Sequence, residues 1–146
     1  MSTITIREVP IEQVVEITKS IVEFDQAFSK DYFEKRYQNQ RHLIIAGFVH
    51  DQPAGYIVAY DRDHDGSLYC WMAGVIPAFR RLGVLSKLMD YQSHWAKSAG
   101  YTKIKIKTRN NRREMLANVV KRGFMVTQVK TQPDVRDNRI ELEISI

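Results

Sequence analysis

The sequence predicts an α/β fold in which a mixed β-sheet carries helices on its faces. Two apolar spacings alternate along the chain: every second residue in segments such as 3–9 and 140–146, and every third or fourth residue in 83–99. The first spacing is typical of strands and the second of amphipathic helices. Their order, β-α-α-β-β-β-α-β-α-β-β, predicts seven strands and four helices packed around one sheet.

The first half of the chain supplies four strands and two helices. After the strand at 3–9, Pro10 opens a helix, because proline suits the first helical turn. Ser29 is a residue type that caps helices, so a second helix is predicted from there through residue 38. Three strands follow, at 42–50, 54–60 and 67–76. Short polar loops join them, which makes them antiparallel neighbours.

The second half alternates helices and strands. Gly100 ends the helix at 83–99, and Gly123 ends a helix at about 111–122, since glycine is the usual residue just after a helix. The strands of this half are 101–108, 124–130 and 140–146. The strand–helix–strand step from 67 to 108 predicts a right-handed crossover between parallel strands.

Size and composition indicate a single domain over residues 1–146. The net charge of +5 is compatible with a phosphorylated ligand, nucleic acid or an anionic membrane surface, and does not choose among them. The single cysteine, Cys70, lies in an apolar run and is expected to be a buried thiol. Neither a signal peptide nor an apolar stretch of about 20 residues occurs, so a cytoplasmic location without membrane contact is expected. The histidines show no metal-ligand spacing, so no metal is expected.

The segment from Val75 to Met89 carries the clearest chemical signal. It passes from a strand through a loop containing Arg80, Arg81 and Gly83 into an amphipathic helix. Unpaired amides at a helix N-terminus bind phosphate oxygens, glycine lets the backbone approach the ligand, and arginines add positive charge. The segment is neither a P-loop nor a dinucleotide fingerprint, because it has no Gly-Lys-Ser/Thr run and one glycine where three are needed. It predicts an anion site for a phosphate or pyrophosphate.

Two segments also match the pattern of a known family. The first is Val75-Ile-Pro77-Ala-Phe79-Arg80-Arg-Leu-Gly83-Val-Leu85. The second runs from the strand at 101–108 through Arg109-Asn110 and a helix to Lys121-Arg-Gly-Phe124. Together they resemble the GNAT superfamily of N-acetyltransferases, in which Arg/Gln-x-x-Gly-x-Gly/Ala follows a strand and a Gly-Phe pair follows the later helix. The order of elements agrees with that fold across nearly the whole chain.

The resemblance implies a mostly antiparallel sheet of about seven strands with a splayed central pair. Acetyl-CoA would be the co-substrate, with pantetheine in the splay beside main-chain groups of residues 73–75. Backbone amides of residues 80–85 would hold the pyrophosphate, and Asn110 would contact the cofactor or brace the adjacent loop. The cofactor-binding residues implied are Ala73, Gly74, Val75, Arg80, Arg81, Leu82, Gly83, Val84, Leu85, Ser86 and Asn110.

The chain departs from the family pattern at two positions. Leu85 stands where glycine or alanine is usual, and its side chain would crowd the pyrophosphate unless it points into the core. Val119 stands where many members carry a tyrosine that protonates the leaving thiolate. A thiol of pKa about 8.5 needs little help in leaving, so transfer is still expected, with the acid unassigned.

Residues for proton transfer and acceptor binding are less well specified. An amine must lose a proton before it attacks the thioester, so a base or a water path is needed. Candidate bases are Glu23, Asp25, Glu34 and the 61–65 loop with His64, each with a solvated surface role as the alternative. Tyr69 is the candidate acid and Trp71 the candidate wall of the acceptor site. Both aromatic residues could instead belong to the core.

The leading hypothesis is an N-acetyltransferase that moves the acetyl group from acetyl-CoA directly to a primary amine within a ternary complex. The alternative is a non-catalytic acyl-CoA-binding sensor or interaction domain of the same fold. A nucleic-acid-binding domain is the third hypothesis, disfavoured because no helix clusters recognition residues. The acceptor, a small-molecule or peptide amine, cannot be named from the fold. A homodimer is compatible with base rates for soluble proteins.

Overall fold

The structure, a computed structural model, describes residues 3–21 and 28–146. Within these residues, seven strands and four helices occur in the predicted order. The strands are β1 (Ile4–Glu8), β2 (His42–Val49), β3 (Gln52–Tyr60), β4 (Ser67–Val75), β5 (Lys103–Arg109), β6 (Met125–Lys130) and β7 (Arg139–Ser145). The helices are α1 (Ile11–Thr18), α2 (Lys30–Tyr37), α3 (Val84–Ser98) and α4 (Arg113–Lys121). None of the helices in the described ranges is both long and apolar enough to cross a bilayer.

The strands form one sheet in the order β1-β2-β3-β4-β5-β7-β6. Every neighbouring pair is antiparallel except β4 and β5, which are parallel and are connected through α3. Helices α1 and α2 pack on one face of the sheet, and α3 and α4 pack on the other. The predicted mixed, mostly antiparallel sheet with helices on both faces is confirmed.

The parallel pair separates halfway along its length. The last paired residues are Cys70 and Ile106, yet β4 continues to Val75 and β5 to Arg109. On its other edge, β4 carries a β-bulge at Trp71, because Val58 and Ala59 of β3 pair with Met72 and Cys70. A bulge increases local twist and bends the strand that contains it. The predicted splay is therefore present, and it opens a gap in the sheet beyond Cys70.

Two glycines bring the first turn of α3 close to the sheet. A Cβ atom at Gly55 would lie 2.8 Å from the carbonyl oxygen of Gly74 and 3.2 Å from a methyl group of Val84. A Cβ atom at Gly47 would lie 3.0 Å from the same Val84 side chain. Val84 is the first residue of α3 and is buried. The N-terminus of α3 is thus held beside the end of β4 by close packing.

Some element boundaries differ from the prediction. The turn between β2 and β3 is formed by His50 and Asp51, with φ of 48° and 66°, so β3 begins at Gln52 instead of residue 54. Pro53 consequently lies inside the strand, opposite Phe48, where the register shifts. Proline donates no hydrogen bond, and an irregular pair tolerates it. Helix α4 begins at residue 113, two residues later than predicted.

Candidate cofactor cavity and active site

A cavity of about 1060 Å³ lies in the gap between the splayed strands and extends between α3 and α4. A volume of this order suits a large organic ligand. The predicted cofactor residues that line the cavity are Ala73, Gly74, Val75, Arg80, Arg81, Gly83, Val84, Leu85 and Ser86. Ile21, which belongs to the core under α1 and α2, also lines it. The cavity therefore reaches from the α3 side of the sheet toward the α1 side.

The beginning of α3 presents unpaired amides to the cavity. The first hydrogen bond of the helix is donated by the amide of Lys87 to the carbonyl of Gly83, at 3.1 Å. Within the described residues, the amides of Val84, Leu85 and Ser86 have no backbone acceptor. Gly83 precedes them with a left-handed φ of 93°, a conformation that glycine adopts without strain. Such a helix start is a site for anionic oxygens.

The loop before α3 adds two arginines with different surroundings. The Nε of Arg80 donates to the carbonyl oxygen of Val75 at 3.0 Å, which ties the loop to the end of β4. Arg81 has a φ of 65°, unusual for a residue with a side chain. Its guanidinium lies 3.3 Å from the carboxylate of Glu114 in α4. Both arginines line the cavity, so cations flank the unpaired amides.

The opposite wall of the cavity is also basic. It contains Arg109, Arg112, Arg113 and Lys121 from the end of β5 and from α4, none of which the sequence analysis assigned to the site. The sequence does contain a run of basic residues from Arg109 to Arg113 where that helix was predicted to begin, and this run could have indicated the basic wall. Glu114 is the one carboxylate among the described residues of the lining. With Arg80 and Arg81, this wall creates a field that attracts a ligand with several negative charges.

Two predicted cofactor residues are not among the lining residues. The side chain of Leu82 is 44% exposed on the loop surface. The amide nitrogen of the Asn110 side chain donates to the carbonyl of Val135 at 3.1 Å, and its oxygen accepts from Arg113 at 2.9 Å. Asn110 therefore braces the loop, which was the second role considered for it. Its neighbour Asn111 lines the cavity instead.

The family model for the acetyltransferase (GNAT) family matches residues 11–124 of the 146-residue chain. The chain belongs to the GNAT family of acetyltransferases. The match includes the β4–α3 segment and the helix α4 that together line the cavity. The sequence-based recognition of this family is confirmed. No curated protein matches the chain closely enough in sequence to count as a relative.

Solved structures share the GNAT fold with this chain at low sequence identity. The ribosomal-protein-S18-alanine N-acetyltransferase of Escherichia coli has a TM-score of 0.82 at 15% identity, over 99% of this chain and 94% of that one. An IAA acetyltransferase from Bacillus cereus ATCC 14579 has a TM-score of 0.78 at 15% identity, over 99% and 100%. YncA from Salmonella typhimurium, solved with its cofactor acetyl-CoA, has a TM-score of 0.77 at 16% identity, over 97% and 93%.

The two departures from the GNAT pattern have different surroundings. Leu85 is half-buried, packs against the core between the sheet and α3, and also forms part of the cavity wall. Val119 is fully buried in the same core. Because position 119 is a valine, it offers no hydroxyl for proton transfer. The adjacent Asn118 lines the cavity with a buried Oδ1 atom that has no hydrogen-bond partner.

Tyr69, the candidate acid, lies in the paired part of β4 and is buried. The guanidinium of Arg62 covers its ring at 3.9 Å, and the ring of Tyr60 packs edge-on against it. Burial raises the pKa of Tyr69 to about 12, although the charge of Arg62 acts in the opposite direction. A phenol with that pKa is a weaker acid than a thiol of pKa about 8.5, so proton donation to the thiolate is unfavourable.

The structure describes only some of the candidate bases, and those in the 61–65 loop lie away from the splay. Glu23 and Asp25 lie outside the described residues. The 61–65 loop precedes β4 and so lies at the end of the strand opposite the splay. Its carboxylates have partners of their own: the hydrogen bond from Arg62 lowers the pKa of Asp63, and that from Ser67 lowers the pKa of Asp65. Both carboxylates also contact the ammonium group of Lys105. This loop is a structural ion cluster.

Trp71, the candidate acceptor wall, is the first residue of β4 beyond the paired segment. Its ring packs with Tyr32 and Phe33 of α2, at centroid distances of 5.7 Å and 5.6 Å. It therefore lies beside the gap on the face that α1 and α2 cover, opposite the α3 helix start. An acyl group that passed through the splay would emerge next to this indole.

Proposed function

We propose that this GNAT protein transfers the acetyl group of acetyl-CoA to a primary amine of a small molecule or peptide, directly within a ternary complex. The observation that carries the proposal is the cavity between the splayed strands, with the unpaired amides of α3 at one end. Coenzyme A has a diphosphate, a ribose phosphate and a long pantetheine arm. The cavity has features that suit the diphosphate and the pantetheine arm.

The match between cavity and cofactor rests on three features. The amides of residues 84–86 and the flanking arginines suit the diphosphate. The edge of β4 from Trp71 to Val75 has no partner on the β5 side, so its main-chain groups can pair with the amides of pantetheine. The unpaired Oδ1 of Asn118 suits a ligand N–H, because a buried acceptor without a partner is costly.

The chemistry requires few protein groups. The neutral amine attacks the thioester carbonyl carbon, a carbon–nitrogen bond forms, and the carbon–sulfur bond breaks to release the thiolate of coenzyme A. Counted from its protonated form, the amine loses two protons: one before it attacks, and one from the nitrogen after the carbon–nitrogen bond has formed. We infer that one of these protons protonates the thiolate and that the other reaches solvent directly or through Glu23 or Asp25. The protein contributes chiefly by holding the two reactants together.

One observation favours the second candidate, a non-catalytic acyl-CoA sensor. The position at which many GNAT members carry an acid is Val119, an apolar side chain without a hydroxyl, and it is buried in the core. The low pKa of the thiol leaving group weakens this objection. The two candidates make different predictions, because a sensor binds acetyl-CoA without any release of thiol that depends on an amine.

The cofactor half of the proposal is tested by calorimetry with coenzyme A. The Arg80→Met variant removes a cation and a donor beside the helix start, and we expect about tenfold weaker binding, since a hydrogen bond to a charged group contributes about 1.5–3 kcal/mol. Arg41→Met is the matched control: Arg41 also donates to a carbonyl, that of Ala99 at 2.9 Å, but is not among the residues that line the cavity. Wild-type protein that gives no heat with coenzyme A refutes the proposal.

The transfer half is tested by thiol release from acetyl-CoA with and without a panel of primary amines. We expect release to require an amine and the product to be the N-acetylated amine by mass spectrometry. Binding of coenzyme A without amine-dependent release in any member of the panel would instead support the sensor.

A further inference from the structure

The surface beside Trp71 has a composition that selects among amines. We define the Trp71 face by four residues, Tyr32, Arg36, Trp71 and Lys107, which come from α2, β4 and β5. The guanidinium of Arg36 lies 4.9 Å from the centre of the Trp71 ring, and Tyr32 packs against the same ring. The arginine is held by stacking, and its planar edge is the group that binds carboxylates in a bidentate manner.

Lys107 lies on the same side of the sheet as Trp71. It stands directly opposite Glu141 in the β5–β7 ladder, and opposed residues project from the same face. Glu141 bonds to Arg62 at 2.8 Å, and Arg62 covers the ring of Tyr69, which belongs to the core under α1 and α2. Lys107 is also one residue beyond the last residue of β5 that pairs with β4. Lys107 therefore lies beside the gap, on the Trp71 face of the sheet.

The carboxylates of β7 and of the 61–65 loop on this side of the sheet have cationic partners. Glu141 and Asp63 both bind Arg62, each at 2.8 Å, and Asp63 also lies 3.1 Å from Lys105. Asp31 shares the surface of α2 with Lys35 and Arg36, so cations outnumber it there. Within the described residues, neither Arg36 nor Lys107 forms an ion pair. The Trp71 face thus combines an aromatic wall with two cationic side chains, of which Lys107 stands opposite Glu141.

We propose, on the basis of the acetyltransferase function above, that the acceptor is a primary amine that carries both a carboxylate and an apolar body, as an amino acid does. Arg36 and Lys107 bind the carboxylate, while Trp71 and Tyr32 contact the apolar part. The amine then faces the gap through which the thioester arrives. A polyamine or another polycation is disfavoured, because its additional charges would meet Arg36 and Lys107.

The test uses amines that differ only in the carboxylate. L-Phenylalanine and phenethylamine are compared at one pH, with spermidine as the polycation, and kcat/KM is measured with saturating acetyl-CoA. We expect phenylalanine to be the better substrate and spermidine the poorest. Arg36→Met retains the stem that packs on Trp71 but removes the charge. It should lower the ratio of kcat/KM for phenylalanine to kcat/KM for phenethylamine about tenfold, because the variant loses a hydrogen bond to a charged group.

The controls separate charge from folding. Arg7→Met removes an arginine that stacks on Phe48, at 3.8 Å, on the outermost strand β1, and it should leave the ratio unchanged. Lys107→Met should lower the ratio in the same direction as Arg36→Met, which provides a second variant if either one is unstable. Calorimetry with coenzyme A verifies that each variant is folded, because the cofactor cavity is formed by other residues.

The outcomes distinguish failure of this inference from failure of the proposed function. Equal or better use of phenethylamine or spermidine by the wild type overturns the inference but leaves the acetyltransferase intact. An unchanged ratio in both charge variants also overturns it. Binding of coenzyme A without acetylation of any of the three amines overturns the inference and favours the sensor. Absence of coenzyme A binding overturns the proposed function itself.

Discussion

The two sides of the splayed strands present different kinds of groups. On the α3 side, backbone amides of consecutive residues 84–86 face the cavity, and their position depends on the left-handed Gly83. On the Trp71 side, the groups are side chains from three elements that are distant in sequence. Backbone recognition constrains a short stretch of sequence, so it leaves a motif. Recognition by scattered side chains leaves none, and it can change without altering the fold.

The two sides also differ in how charge is arranged. In the described part of the cavity lining, six cationic side chains face one carboxylate, Glu114, which suits a ligand with several phosphates. On the other side, charges of β5, β7 and the 61–65 loop pair with one another, as in Lys103 with Glu143 at 3.0 Å and Lys105 with Asp63 at 3.1 Å. If the proposals above hold, the first side selects by total charge and the second by the position of single charges.

The largest effect is expected at Gly83. Gly83→Val forces a β-branched residue into a φ of 93° and displaces the amides that follow. Affinity for coenzyme A should fall about 30-fold, or about 2 kcal/mol, as for the loss of a hydrogen bond to a charged oxygen. Gly100→Val is the control, because Gly100 has a φ of 94° at the other end of α3. Calorimetry that shows equal losses in both variants would contradict the role of the helix start.

A second prediction concerns Tyr69, whose pKa is raised from 10.0 to about 12 by burial. Below pH 10 the hydroxyl is protonated in both the folded and unfolded states. Between pH 10 and about 12 the unfolded chain loses this proton first, so the free energy of unfolding falls by up to about 1.4 kcal/mol per pH unit. Tyr69→Phe should remove this loss in urea unfolding across that range, whereas the exposed Tyr32→Phe should not.

The same Tyr69→Phe variant sharpens the comparison between the two sides. Because Tyr69 lies under Arg62 in the paired part of β4, we expect kcat to stay within about threefold of the wild type. Affinity for coenzyme A should be unchanged. A fall in kcat of several orders of magnitude would restore Tyr69 as the acid.

The smallest effect is expected at Glu114, which pairs with Arg81 in the cavity lining and would compete with a bound phosphate for it. Glu114→Gln should strengthen coenzyme A binding about two- to threefold, since exposed ion pairs contribute less than about 1 kcal/mol. Glu16→Gln, in the exposed pair with Lys19 on α1, is the control and should leave the affinity unchanged. Weaker binding in Glu114→Gln would mean that the carboxylate supports the site.

Much of the fold could be predicted because local patterns agree with the tertiary structure. The Ser29 cap on α2 is present, with the amide of Tyr32 donating to its hydroxyl at 3.1 Å. Cys70 is buried, and burial raises the pKa of its thiol to about 12. The β2–β3 turn was misplaced because Pro53 suggested a turn residue, whereas His50 and Asp51 adopt the left-handed conformation. Residues of both types form turns, so composition alone could not choose.

The amino-acid sequence by itself determined the order of elements, the family and the helix start that faces the cavity. These properties depend on residues that are neighbours in the chain, where periodicity, glycine and a run of basic residues act locally. Only the tertiary structure decided that Asn110 braces a loop, that Asp63 and Asp65 are bound to cations, and that Arg36 stacks on Trp71. Those relations arise when the sheet brings distant segments together, and a local sequence pattern does not indicate which distant segments become neighbours.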